Sequence, residues 1–170
     1  MNANNNLNQA IIVALGGNLA SDGAPAQVVL ESALARFPAF GLVVETTSRW
    51  WTSAAWPDPT KPPFVNGVAL VRTTLSAQQV MRALAMIEAE FGRRRGEPNA
   101  PRTLDLDLIA HGREVIDAPG LIVPHPRAAD RRFVMGPLAE IAPDWRHPVL
   151  GATAAELAAA ATVGSDAVPI

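Results

Sequence analysis

Residues 104–108 read Leu-Asp-Leu-Asp-Leu, and this strict alternation constrains the fold more than any other stretch of the chain. A strand sends successive side chains to opposite faces. Leu104, Leu106 and Leu108 therefore point into a core, while Thr103, Asp105 and Asp107 share the other face. Two carboxylates on one face, two residues apart, repel when both are ionised. A hard cation removes the conflict. Magnesium takes oxygen ligands, usually one or two carboxylates plus substrate phosphates. Two such ions about 3.5–4 Å apart clamp the attacking and leaving oxygens of a displacement. The plain alternative is an edge strand with a solvated acidic face. On these residues alone the pair supports a divalent cation and phosphate chemistry, and no more.

The rest of the chain supplies partners for that strand. Residues 10–15 form an apolar run ending at Gly16-Gly17, which reads as a buried strand and a tight turn. Residues 22–37 carry Leu30, Ala33, Leu34 and Phe37 at helical spacing, with Pro25 suited to a first turn. Residues 41–52 favour strand, residues 54–63 hold four prolines and read as loop, and residues 64–73 read as strand again. Ser76 and Gln79 match a capping box, and Val80, Leu84, Ile87 and Phe91 then share one helix face that Gly92 ends. Residues 93–101 read as loop, 112–126 as irregular with three prolines, 128–142 as short helices and 153–161 as a terminal helix. The order is strand, helix, strand, strand, helix, strand, then helical additions. That is the split βαβ pattern of a ferredoxin-like α+β sandwich, with an antiparallel sheet, helices on one face and extra C-terminal helices.

At 170 residues the chain is expected to be one domain, with the polar, Asn-rich residues 1–9 as a disordered tail. It contains no cysteine, which excludes disulfides, Cys-based zinc sites and a thiol nucleophile. A net charge of −2 gives no electrostatic case for nucleic acid or an anionic membrane. The start lacks the basic and apolar segments of a signal peptide, and no apolar stretch is long enough to span a bilayer. A cytoplasmic, monomeric protein acting on small molecules is expected.

No P-loop sequence is present, so phosphate handling falls to arginine. Lys61 is the only lysine among the 14 basic residues, and Arg93, Arg94, Arg95, Arg102, Arg113, Arg127, Arg131 and Arg132 crowd one stretch. The guanidinium fork suits phosphate oxygens. Arg93 and Arg95 precede the acidic strand, and Arg102 stands at its entrance. Phosphoryl transfer asks mostly for positioning and charge neutralisation, which such a loop can supply. His125, held between Pro124 and Pro126, is the first-ranked histidine for a phosphate contact. Phe64 and Asn66 fall on one strand face, where they suit a flat heterocycle, and Phe133 is a second aromatic wall. The competing reading puts both phenylalanines in the core.

Taken together, Gly92-Arg93-x-Arg95-Gly96-Glu97, Pro101-Arg102-Thr103-Leu104-Asp105-Leu106-Asp107, Val123-Pro124-His125-Pro126 and residues 133–143 resemble the 6-hydroxymethyl-7,8-dihydropterin pyrophosphokinase family of folate biosynthesis. Residues 14–19 resemble its opening strand, and Phe64-Val65-Asn66 its pterin strand; the likeness runs from about residue 11 to residue 148. The resemblance implies a ferredoxin-like fold and a Mg-dependent kinase that moves the β,γ-pyrophosphoryl unit of ATP to the pterin hydroxymethyl oxygen, releasing AMP. It implies Asp105 and Asp107 as ligands of two Mg2+ ions and Arg93, Arg95, Arg102 and His125 as triphosphate contacts, with Arg131 near the site. It implies a pterin stacked between Phe64 and Phe133, read by Asn66, with Thr52 nearby, and Leu108 lining the adenine pocket largely through its backbone.

The chain departs from the family pattern in three places. Pro98-Asn99-Ala100 stand where Arg-Trp-Gly is usual, in a loop that closes over the substrates. Trp50, Trp51 and Trp56 are candidates to compensate for that Trp. Residues 52–55 lack the usual prolines, and Gly17 replaces a common Ser. Two rival functions share the same residues. One is another Mg-dependent nucleotidyl- or phosphotransferase, separated by its products. The other is a degenerate paralog that binds pterin or nucleotide without turnover.

Overall fold

The computed structural model describes residues 6–18, 23–55, 57–92 and 103–170. Its frame is an antiparallel sheet built on two central strands, β1 (Ile11–Gly17) and β4 (Phe64–Arg72). The run Ile11 to Leu15 does not alternate in polarity because helices cover both faces of β1. Strand β5 (Asp105–His111) pairs on the outer side of β1. Strands β2 (Val43–Thr47) and β3 (Trp51–Ser53) both pair along the far side of β4. β1 and β4 are thus the middle pair, and each of the two crossovers skips one strand. This is the ferredoxin-like order expected from the sequence.

The first crossover carries α1 (Ala26–Arg36) and the second α2 (Ala77–Glu90). Ser76 starts α2 as expected: its Oγ accepts from Gln79 N at 3.2 Å, and Gln79 Oε1 accepts from Ser76 N at 2.9 Å. Such a cap contributes about 1 kcal/mol. Val29, Leu30 and Ala33 of α1 and Val80, Leu84 and Ile87 of α2 pack on Val13, Leu15, Leu104, Leu106 and Leu108. All three leucines of the alternating segment are buried there. Replacing one by Ala should cost about 2–5 kcal/mol.

The opposite face is covered by α3 (Arg132–Ile141) and α4 (Ala154–Ala160), on Ile12, Ala14, Val68, Leu70 and Ile109. Helices therefore lie on both faces, the split-βαβ pair on one and the C-terminal additions on the other. Helix α3 contains Gly136 and Pro137, poor helix formers. Its packing explains the glycine: a Cβ at Gly136 would stand 2.6 Å from the Trp51 ring. Trp50 similarly lies against Gly67. Both tryptophans are thus engaged with the sheet and its cover, and Trp56 lies outside the described residues.

Some local readings change. Gly16 and Gly17 belong to β1 and not to a turn. The single strand read over 41–52 is two, broken where Ser48 Oγ takes the Val68 amide at 3.0 Å. The stretch 112–126 contains a hairpin, β6 (Ile116–Ala118) and β7 (Leu121–Val123). The chain ends in β8 (Val168–Pro169), paired with β3. Within the segment expected as a tail, Asn6 to Gln9 form a turn, and Leu7 packs on the second cluster.

Candidate active site

Cross-strand partners share a face, so the sheet register builds the site. Gly16 pairs with Asp105 on one side and Asn66 on the other, and Asn66 pairs with Trp51. One row therefore reads Asp105, Gly16, Asn66, Trp51 across four strands. The next row reads Asp107, Ala14, Val68. With strands about 4.8 Å apart, the backbones of Asp105 and Asn66 stand roughly 10 Å from each other. Between them the central strand offers only Gly16 and Ala14. A carboxylate wall and an amide wall are thereby separated by a floor without bulky side chains.

A small cleft opens over this floor, lined by Asp105, Asp107, Asn66, Arg131 and Phe133 among others. Asn66 is buried, and its Oδ1 would be 2.6 Å from a Cβ on Gly16. Gly16 is thus the residue that lets the Asn66 amide turn into the cleft. The notion of a turn glycine missed this role. The only signal in the sequence was a glycine closing a strand.

Asp105 and Asp107 are half-buried, on the α3 face, as the alternation requires. Among the described residues, no group of three or more His, Cys, Asp or Glu converges as a metal cage. The donor set fits a hard cation that completes its shell with water and phosphate oxygens, as magnesium does. Strand β5 is held from outside the sheet. Glu88 of α2 is buried, and its Oε1 accepts the Leu106 amide, between the two aspartates, at 3.1 Å. Glu88 follows Leu84 by four residues, so it falls on the buried stripe of α2. That placement was a legible signal passed over.

His125 is half-buried beside β5, its amide donating to Ile109 O at 2.8 Å. Its Nδ1 accepts from Arg127 N at 3.2 Å, which leaves Nε2 for a ligand. Burial pushes its imidazole below the usual value; Asp107 opposes this, Arg131 reinforces it, and Asp105 and Arg127 do the same to a lesser degree, respectively. The ring therefore sits within the field of both carboxylates and two guanidiniums. Arg131 precedes α3, and its guanidinium lies 5.7 Å from the centre of the Phe133 ring.

The structure thus brings together Asp105, Asp107, His125, Arg131, Asn66 and Phe133. Phe64 shares the face of Asn66 but lies at the start of β4, outside the lining of the cleft. Thr52 pairs with Val65, so its side chain lies on the face opposite Asn66. The Leu108 side chain is in the α1–α2 core, leaving its backbone on the edge strand. Arg93, Arg95, Arg102 and the segment Pro98-Asn99-Ala100 lie outside the described residues. His111 and His147 bond backbone elsewhere, at Leu75 O and at the Val149 and Leu150 amides.

Comparison with known proteins bears on this cleft. A family model described as 7,8-dihydro-6-hydroxymethylpterin-pyrophosphokinase (HPPK) matches residues 12–143. The 2-amino-4-hydroxy-6-hydroxymethyldihydropteridine pyrophosphokinase of Synechocystis is 42% identical over 147 residues, covering 86% of this chain and 73% of the relative. Its namesake from Pseudomonas aeruginosa is 42% identical over 140 residues, covering 82% of this chain and 85% of the relative. Among solved structures, Plasmodium falciparum HPPK-DHPS crystallised with pteroate aligns with a TM-score of 0.69 at 12% identity, covering 88% of this chain. This chain spans 44% of the length of that protein. At such low identity the likeness speaks for the fold alone.

Proposed function

The chain belongs to the 7,8-dihydro-6-hydroxymethylpterin-pyrophosphokinase family, and from that premise we propose how its cleft moves a pyrophosphoryl group from ATP to hydroxymethyldihydropterin, a step of folate biosynthesis. The observation that carries the reading is the row Asp105, Gly16, Asn66. It offers a phosphate end and a heterocycle end about two strand spacings apart on one open floor.

Asn66 holds the polar edge of the pterin through its carboxamide, and Phe133 stacks on the ring, with Phe64 at the outer end; Thr52, whose side chain faces away, meets the pterin through its backbone. This fixes the pterin hydroxymethyl group over Gly16, facing the aspartates. Asp105 and Asp107 would hold two magnesium ions. When bound, these ions would neutralise the phosphate oxygens and support the charge gathered on the leaving group. His125 and Arg131 bind the triphosphate from the β5 and α3 sides, and Arg93, Arg95 and Arg102 join them. The Leu108 backbone meets the adenine. The hydroxymethyl oxygen forms a bond to the β-phosphorus and loses its proton to solvent water. The bond from the β-phosphorus to the α,β-bridging oxygen breaks, and AMP leaves with that oxygen. Most of the work is positioning and charge neutralisation, as in other phosphoryl transfers.

The reading takes a single copy of the chain as the working unit. Among the described residues no helix is long and apolar enough to cross a membrane, and the reading puts the chain in the cytoplasm with its ATP. The test is a product analysis with ATP, Mg2+ and hydroxymethyldihydropterin. AMP and pterin diphosphate should appear in equal amounts. ADP, or free pyrophosphate with an adenylated acceptor, would identify a different transferase, and nucleotide binding without any AMP would identify a binding paralog.

A further inference from the structure

The last ten residues lie beyond the family match, which ends at residue 143, yet they contact the cleft's own wall. Thr162 binds the Asp130 carboxylate through its amide and hydroxyl, both at 2.9 Å. Val163 N donates to Asp130 O at 3.0 Å, and Arg132 N donates to Val163 O at 2.9 Å. These bonds fasten the segment to the start of α3 on both sides of Arg131. At its other end Asp166 takes the Ala54 amide, with Oδ2 at 2.6 Å. Ile170 N donates to Trp50 O at 2.9 Å, and β8 pairs with Trp51 and Thr52. The segment is therefore a strap between α3 and β3, the two elements that carry Phe133 and Trp51.

Gly164 stands midway along it. Its φ is +67°, and a Cβ built there would meet Phe133 Cδ1 at 2.5 Å and Cε1 at 3.1 Å. Contacts that short do not occur, so the Phe133 ring occupies the space that any larger residue at 164 would need. The ring lies between the Gly164 backbone and the cleft it lines. A half-buried ring on the first turn of a helix has open rotamers toward solvent. The Gly164 backbone stands against the ring and takes part of that space.

We propose that Gly164 is a positioning residue for the pterin substrate, acting through Phe133, and that the C-terminal strap sets the ring's stacking plane. The inference rests on the assignment of Phe133 to the pterin made above. It implies that residue 164 sets affinity for the heterocycle and spares the nucleotide, because a Cβ there meets the Phe133 ring first, whereas the bonds around Arg131 are made by the backbone of Val163 and stay in place.

The test measures binding of 6-hydroxymethylpterin and of a non-hydrolysable ATP analogue to the full chain and its variants. Gly164→Ala should weaken pterin binding roughly tenfold, the scale of one displaced aromatic contact, and leave the affinity for the analogue within about twofold. Gly120→Ala controls for left-handed backbone, since its φ is +77° and nothing lies within 4 Å of its added Cβ. It should keep wild-type pterin affinity. In a Phe133→Leu background, Gly164→Ala should have no further effect on pterin binding. Asp166→Ala, a surface change that loosens the β3 end, should weaken pterin binding in the same direction by roughly threefold and keeps the test open if Gly164→Ala does not fold. Unchanged pterin affinity in Gly164→Ala or Asp166→Ala overturns the proposal, as does equal weakening of both ligands, or a full effect persisting without the ring. A wild-type chain that binds the analogue but no pterin overturns the assignment of the substrate, and this proposal with it.

Discussion

A glycine decides whether the two ends of the cleft can face each other. At Gly16 the space that a side chain would take is used by the Asn66 carboxamide. Gly16→Ala should therefore push Asn66 aside and lower kcat/KM for the pterin by roughly 10- to 100-fold, the scale of a lost buried polar contact, with KM for ATP nearly unchanged. Steady-state kinetics with each substrate varied in turn checks this. His147 yields a prediction about stability. Burial, helped by Arg113, pushes its imidazole below its ordinary value, and the neutral Nδ1 accepts two backbone amides. The unfolded chain binds that proton more readily, so stability rises with pH. The contribution is complete above the unfolded value of about 6.5 and is lost as pH falls through the lower folded value. His125 is shifted in the same direction and adds to the fall. The drop in Tm from pH 7 to pH 5 should be smaller in His147→Asn, whose carbonyl accepts without titrating. Asp105 and Asp107 were legible in the sequence because alternation alone fixes their face. Gly16 was not, because its meaning depends on Asn66, 50 positions away, and two adjacent glycines read locally as a turn.

At the level of elements, the site depends on how an edge strand is held. Among the described residues, strand β5 pairs only with β1 in the main sheet. Its outer side is met by Glu88 from α2, at the Leu106 amide, and by the His125 amide, at Ile109 O. Two neighbours thus fix the strand that carries both aspartates. Glu88→Ala leaves a buried amide without this acceptor and should destabilise the fold by about 1–3 kcal/mol, with a matching loss of turnover. Glu88→Gln keeps an acceptor and should recover most of both. Denaturant melts and AMP formation measured on the two variants check the contrast. Helix α2 was readable to its capping box, because Ser76 and Gln79 signal locally. The hairpin of β6 and β7 was not, since three prolines between 112 and 126 argue against strand. In the structure, Pro119-Gly120 is the turn and Pro124 follows the last strand residue, so the prolines flank the ladder without breaking it.

For the molecule as a whole, the order of elements was enough to give the split βαβ arrangement, since two helical crossovers between four strands leave few sheet orders. The second helical layer was foreseen only as additions. Its position follows from the fully apolar β1, which needs cover on both faces, and from Gly136, which admits Trp51. The cleft lies where that layer leaves the sheet uncovered, above Gly16, so the aspartates and Asn66, proposed to hold the metal and the ring, belong to different strands of one floor. One variant separates the two roles. Asp107→Asn, assayed with saturating ATP, Mg2+ and hydroxymethyldihydropterin, should form AMP more than about 100-fold more slowly while binding the pterin within about twofold of the wild-type affinity. Pterin binding that collapses while saturated turnover holds would contradict this division of roles.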